Sequence, residues 1–244
     1  MIGHKKVNLT SCHSTNDIAT EMLKQSKVEH GTVIFTDEQT NGRGQRGNNW
    51  YTEKNKNVLA SIILDPSFEI DKVFYLNIVT SLAIKKWLSR YVKSIFIKWP
   101  NDIYISEEKI GGILIENQLQ GKGLKSSVVG VGVNINQKSF GDLGRATSLC
   151  LQMGKEVDLE GEKDQFLKCF NHFYQKLSNG ELELLKKEYL NSLLFYHEKR
   201  RYEDNSGAFI GTIIGVTGHG CLKVLKEKSG ITVEYDFKAI RFLF

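Results

Sequence analysis

The sequence predicts an α+β protein that ends in a small all-β module. Strand-like and helix-like patterns are interleaved up to about residue 195, and beyond residue 196 only short β runs with glycines follow. Hydrophobic residues make up 41% of the 244, enough for a substantial core and too many for a disordered chain. The expected division is residues 1–195 for the large domain and 196–244 for the small one, with the charged run Glu198-Lys199-Arg200-Arg201 at the boundary.

Ser14-Thr15-Asn16-Asp17 reads as a helix entry, because Ile18, Ala19, Met22 and Leu23 then fall on one helical face. Thr32 to Thr36 and Asn57 to Leu64 read as strands, with a glycine-arginine segment between them. Residues 70–91 carry Val73, Phe74, Leu76, Val79, Ala83, Trp87 and Leu88 at helical spacing. Ser94 to Trp99 returns to strand, and Pro100-Asn101-Asp102 turns the chain. Ile103–Ile105 and Ile110–Ile115 form an expected hairpin around Ser106-Glu107-Glu108, and Ser127–Ile135 a further apolar strand. Residues 162–194 read as two helices. The terminal module is built from Phe209–Gly215, Gly220–Lys226 and Ile231–Phe237, and a barrel is expected of it.

The charge is mild, +5 from 33 basic and 28 acidic residues, which suits an anionic ligand and argues little for nucleic acid. Cys12, Cys150, Cys169 and Cys221 form no CxxC pair, so a zinc ribbon is excluded, and scattered thiols suit a reducing compartment. No apolar run approaches the ~20 residues of a membrane span, and the N-terminus lacks the apolar core of a secretion signal. A soluble, cytoplasmic protein is expected.

Five clusters are able to carry chemistry. Residues 42–50, Gly-Arg-Gly-Gln-Arg-Gly-Asn-Asn-Trp, combine a permissive backbone, two guanidinium groups and a flat ring. They suit closure over a nucleotide and an anion, a basic loop on RNA, or a solvated turn. Lys98-Trp99-Pro100-Asn101-Asp102 offers an ammonium, an amide and a carboxylate at a strand end, or an ordinary β-turn. Lys109 opens an apolar strand beside Gly111 and Gly112, which admit close approach of a ligand; a lysine there is as readily a solvated one. Gly130-Val131-Gly132-Val133-Asn134 fits a core strand, with Asn134 either internally bonded or a ligand contact. Ser14-Thr15-Asn16 serves as a helix cap or as donors to a polar head group.

Taken in order, Ser-Thr-Asn, Gly-Arg-Gly-x-Arg-Gly-x-x-Trp, Lys-Trp-Pro-Asn-Asp, Lys-x-Gly-Gly-Ile-Leu-x-Glu and Gly-x-Gly-x-Asn resemble the biotin–protein ligase family. The match runs from Ser14 to Asn134 and on through Ala146-Thr147-Ser148-Leu149, and the terminal β module is similar to that family's last domain. The resemblance implies a mixed, mostly antiparallel sheet with helices, class II synthetase-like, followed by an SH3-like β-barrel. It implies activation of biotin by ATP to biotinyl-5′-AMP and pyrophosphate, then transfer to a lysine of a biotin carboxyl carrier domain, with Mg²⁺ as cofactor. Such chemistry needs screening of two anions more than it needs a nucleophilic side chain.

By matching positions, the resemblance makes Lys109 and Arg43 catalytic, with Lys109 bridging the biotin carboxylate and a phosphate oxygen. It gives biotin binding to Ser14, Thr15, Asn16, Gln39, Gly42, Arg43, Gly44, Gln45, Lys109 and Gly112. It gives ATP or adenylate binding to Arg46, Trp50, Asn101, Asp102 and Asn134, with Asp102 also as the metal contact. Gln45 departs from the family, which often has a second arginine there, so retention of the adenylate rests on a neutral group. Ser14 follows Met1 closely, so no DNA-binding domain and no operator binding are expected, although an exposed strand edge allows a homodimer. Two other readings stand beside this one. A lipoate or octanoate ligase shares the fold, but its Arg-Arg-x-x-Gly-Gly-Gly stretch is missing. A non-catalytic RNA-binding protein would call for more charge and an aromatic recognition strand.

Overall fold

The computed structural model describes residues 1–25, 28–65, 72–120, 123–141 and 144–244, without the side chains of Arg46 and Gln120. The expected start of the long helix at residues 70–71 lies outside the described residues.

A seven-stranded sheet forms the larger part. Its strands are β1 (Lys6–Leu9), β2 (Val33–Thr36), β5 (Asn57–Leu64), β6 (Ile95–Lys98), β7 (Asp102–Ile105), β8 (Glu108–Gln120) and β9 (Gly123–Asn134). They run in the order β1-β2-β5-β9-β8-β7-β6. Only β1 and β2 pair in parallel; every other neighbouring pair is antiparallel, as expected of a mixed, mostly antiparallel sheet. The period of two explains why β2 and β5 carry apolar residues on both faces. Val33, Phe35, Val58, Ala60 and Ile62 point into one core, while Ile34 and Ile63 point into another on the opposite face. Helix α1 (Thr15–Gln25) covers the second face with Ala19, Ile18, Met22 and Leu23, the stripe its spacing predicts. Helices α2 (Phe74–Leu88), α4 (Leu159–Ser178) and α5 (Leu182–Leu190) cover the first face. α2 is buried on nearly every side, between sheet and helices, which accounts for its lack of a polar face. Its Trp87 indole and the Tyr91 hydroxyl donate to the buried Glu162 carboxylate of α4 at 2.5 and 2.6 Å.

Four short elements escape the sequence patterns. β1 alternates polar and apolar over only four residues. A small hairpin pairs β3 (Gly42–Arg43) with β4 (Asn49–Trp50) around a 3₁₀ turn at Gln45–Gly47. Helix α3 (Leu149–Met153) is one turn, capped by Ser148 and closed by Gly154 at φ +72°.

The terminal sheet is β10 (Lys199–Asp204), β11 (Gly207–Val216), β12 (Leu222–Lys226), β13 (Ile231–Tyr235) and β14 (Arg241–Leu243), ordered β13-β12-β11-β10-β14 and antiparallel throughout. This is the strand arrangement expected of an SH3-like module. The charged run Glu198-Lys199-Arg200-Arg201 leads straight into this sheet, Lys199, Arg200 and Arg201 being the first residues of β10. Its charges face solvent while Tyr202 is fully buried. Trp99 joins the two sheets. Its indole N–H donates to the Gly220 carbonyl at 2.8 Å and its ring lies 5.5 Å from that of Phe237. Gly220, at φ +95°, is packed so closely on the Phe74 ring that a Cβ would lie 2.7 Å from Phe74 Cγ. One apolar core runs from the large sheet into the small one through Tyr202, Ile213 and Leu222.

Candidate active site

On the α1 face of the large sheet lies a cavity of about 410 Å³. Ser14, Thr15, Asn16, Gln39, Arg43, Gly44, Gln45, Trp50, Asn101, Asp102, Lys109 and Gly112 all line it. Residues from five clusters, spread over a hundred positions of sequence, therefore meet in one place.

The sheet supplies the floor. Trp50 lies over Gly112 and Gly132: a Cβ at Gly132 would sit 2.7 Å from the indole Cε2, and one at Gly112 would sit 3.3 Å from its Cζ3. A side chain at Gly132 would collide with the ring as it lies, and one at Gly112 would push it aside by a few tenths of an ångström. The indole N–H is buried with no partner among the described residues. The Lys109 ammonium lies 5.5 Å from the Trp50 ring centroid and 2.6 Å from Asp102 Oδ1. Register explains this pairing, since Asp102 faces Gly112 across β7 and β8. Lys109 itself is fixed by backbone bonds to the segment before α3, its N–H donating to Arg145 O at 2.8 Å and its carbonyl accepting from Thr147 N at 2.9 Å.

At the α1 end, hydroxyl and amide groups form one network. Gln39 Oε1 accepts from Thr15 N at 2.9 Å and lies 3.1 Å from Thr15 Oγ1. Ser61 Oγ lies 2.7 Å from Thr15 Oγ1 and 2.6 Å from Asn16 Oδ1. Asn16 Nδ2 donates to Glu116 Oε2 at 2.7 Å and to the Leu114 carbonyl at 3.2 Å. Arg43, expected to be catalytic and to bind biotin, is paired with Glu116 at 2.9 Å and with Asp17 at 2.5 Å.

Three expected residues are placed differently. Gly42 does not line the cavity; it is packed against the Trp50 carbonyl within the small hairpin, where a side chain would collide. Asn134 lies behind the wall, donating to Thr147 O at 3.0 Å, and so supports the segment that holds Lys109. The Arg46 side chain lies outside the described residues.

Sequence reasoning gave no role to Asp17, Ser61, Lys98 or Glu116. Lys98 stood inside a quoted motif, but its environment comes from the distant C-terminus. Its ammonium lies 5.2 to 5.4 Å from the rings of Tyr104, Phe242 and Phe244, and burial lowers its pKa. Lys238 and Ile240, which precede β14, and Arg241 and Phe242 within it complete the wall, with Arg241 paired to Glu203. No hydrophobic period marks such a wall. Among the described residues no three His, Cys, Asp or Glu side chains gather as a metal cluster. The arrangement offers cations, amides and a buried glycine floor, which suits binding and alignment of an anion with a polar head group.

The comparisons agree with this geometry. The model of the biotin/lipoate A/B protein ligase family matches residues 9–134. The bifunctional ligase/repressor BirA of Bacillus subtilis (strain 168) is 30% identical over 228 residues, 91% of this chain and 70% of that protein. The biotin–[acetyl-CoA-carboxylase] ligase of Paracoccus denitrificans is 31% identical over 125 residues, 50% of this chain and 52% of that protein. Among solved structures, the biotin protein ligase from Aquifex aeolicus in complex with biotin and ATP superposes with a TM-score of 0.80 at 26% identity, covering 98% of this chain and all of that one, 100%. The chain is a member of the biotin/lipoate A/B protein ligase family.

Proposed function

We propose that this protein is an ATP-dependent biotin–protein ligase that forms biotinyl-5′-AMP and transfers biotin to a lysine of a biotin carboxyl carrier domain. The observation that carries the reading is the Lys109–Asp102 pair, set against Trp50 on a glycine floor, in the cavity that also holds the Thr15–Asn16–Gln39 network. A fused urea needs paired donors and acceptors, and that network supplies them. Lys109 draws the carboxylate toward the α-phosphorus, and Lys98 adds a second ammonium for the charge that develops in the transition state. Trp50 flanks the nucleotide and excludes water from the anhydride. The carrier lysine then attacks the acyl carbon, forming the amide and releasing AMP.

Asp102 is the one acid among the described residues lining the cavity. Magnesium is commonly held by one or two carboxylates, water and substrate phosphates, so this donor set fits it. When bound, Mg²⁺ supplies charge screening of the triphosphate. We further assign residues 1–195 to the ligase domain and 196–244 to the SH3-like one, acting in the cytoplasm without specific DNA or membrane binding, and able to form a homodimer. No helix among the described residues is long and apolar enough to cross a membrane.

The test is incubation with biotin, MgATP and an apo carrier domain, followed by weighing the carrier. A gain of one biotinyl group, abolished by Lys109→Ala, is expected. ATP–pyrophosphate exchange driven by lipoate or octanoate but not by biotin overturns the choice of acid.

A further inference from the structure

We propose that Ser61, deep in strand β5, is a positioning residue that sets the donor–acceptor polarity of the head-group end of the cavity. The inference rests on the reading of that end as a urea site. Ser61 is the single polar residue in the run Val58–Leu64, and it is completely buried. A hydroxyl in such a place is unfavourable unless it is bonded, and its partners decide which way its one proton points.

The directions follow from chemistry. Glu116 Oε2 and the Leu114 carbonyl only accept, so the Asn16 atom facing them at 2.7 and 3.2 Å is the amide nitrogen. Asn16 Oδ1 therefore faces Ser61, and an amide oxygen only accepts, so Ser61 donates its proton across the 2.6 Å contact. Ser61 Oγ is left as an acceptor toward Thr15 Oγ1 at 2.7 Å. Two hydroxyl oxygens 2.7 Å apart need a proton between them, and with Ser61's committed to Asn16 it is Thr15 that supplies it, in preference to the longer 3.1 Å contact with Gln39 Oε1, which already accepts from the Thr15 backbone N–H. The Thr15 hydroxyl, on the cavity wall, then presents a lone pair to the ligand. Gln39, whose oxygen is bound to Thr15, keeps its amide N–H groups as donors. One lone pair and one N–H set match the N–H and C=O of a urea. Without the Ser61 hydroxyl the Thr15 proton keeps only the longer contact to Gln39 Oε1, shared with the Thr15 backbone N–H; turned outward it meets a urea N–H donor to donor, and Asn16 Oδ1 loses its Ser61 partner.

The experiment compares the full-length protein with Ser61→Ala and Ser61→Cys, by biotin titration calorimetry and by steady-state kinetics. Ser61→Ala is expected to weaken biotin binding roughly 10- to 100-fold, the range for a buried group left unsatisfied. The biotin KM rises with it, while the ATP KM and kcat at saturating biotin stay within about twofold, a split that a general loss of packing does not produce. Ser61→Cys retains a weak S–H donor and falls between the two; should Ser61→Ala not fold, the cysteine variant carries the comparison. Unchanged biotin affinity in a folded variant, or equal losses for biotin and ATP, overturns the assignment. Failure of the unaltered protein to bind biotin would instead remove the urea site itself.

Discussion

Gly130→Ala tests the head-group network with a single added methyl group. Gly130 does not occupy the positive-φ region, so the alanine backbone is not strained there. The strain is steric. The new Cβ would lie 2.9 Å from Asn16 Cγ, 3.0 Å from Nδ2, and closer still to Oδ1. Asn16 has little room to retreat, being 3% exposed in the first turn of α1, and the same helix packs on β5 and β9. Its carboxamide must rotate away from Ser61 and Glu116, or α1 must lift. Losing one neutral bond (about 0.5–1.5 kcal/mol) and one to a carboxylate (about 1.5–3) gives roughly 2–4 kcal/mol. Those bonds are internal, so that cost falls on the fold; the biotin Kd rises through the misplaced wall, by roughly 10-fold or more for about one lost hydrogen bond to the head group. Overpacking of this kind typically destabilises the fold by about 1–3 kcal/mol as well, so calorimetric titration belongs beside a thermal melt. Gly161→Ala in α4, where a Cβ meets only Asp158 Oδ2 at an ordinary 3.6 Å, is the matched control and should melt no lower than the parent. A Gly130→Ala protein that binds biotin within threefold of the parent would show that Asn16 does not shape the site.

Three further outcomes follow from the same structure. Lys98→Met removes a buried ammonium that costs stability at neutral pH; because burial lowers its folded pKa below the ordinary 10.5, that cost is relieved as pH rises toward 10.5. The variant should melt higher, and ATP–pyrophosphate exchange should fall on the order of 10²-fold as a cation is lost from the site. Glu162→Ala strands the Trp87 and Tyr91 donors between α2 and α4, so chemical denaturation should show a loss of about 3–5 kcal/mol with an unchanged m-value. Asp204 in β10 is held well below the usual carboxylate range by Lys226, then Ser206 and Tyr235. A depressed carboxylate contributes stability above its ordinary value of 3.8 and loses it as the pH falls. In acid titrations followed by circular dichroism, Asp204→Asn should therefore narrow the stability gap between pH 7 and pH 3.

Elements with a strong local period were legible in the sequence. β5 appears over Asn57–Leu64 as its apolar run predicts, and α1 begins within the Ser14–Asn16 cap. Short elements were not, because one turn of helix or four residues of strand carries too few side chains to define a period; α3 and β1 are of this kind. β10 was hidden for a different reason: three consecutive charges mask a strand whose inward residue is Tyr202. The site divides in the same way. Residues in dense motifs, such as Lys109, Asp102 and Trp50, were identifiable from spacing and resemblance. Ser61 was not, since one serine in an apolar run resembles any small core residue until Asn16 and Thr15 are seen against it.

Arg43 shows how the fold reassigns a charge that the sequence alone would give to phosphate. A guanidinium between two carboxylates, Asp17 and Glu116, sits in a cluster of net charge −1 and attracts an anion weakly. Lys98 has no carboxylate in hydrogen-bonding contact among the described residues, and Lys109 shares only Asp102. The two ends are separated along the sheet: Glu116 lies four residues beyond Gly112 on β8, about 13 Å at the usual strand rise, and Gly112 faces Asp102, which in turn faces Lys98. The cavity is thus polar and charge-compensated where a neutral head group would lie, and cationic where phosphates would. An acid with a neutral polar head and a carboxylate tail enters such a gradient in one orientation. That orientation brings its carboxylate, rather than its head, to the ammonium of Lys109.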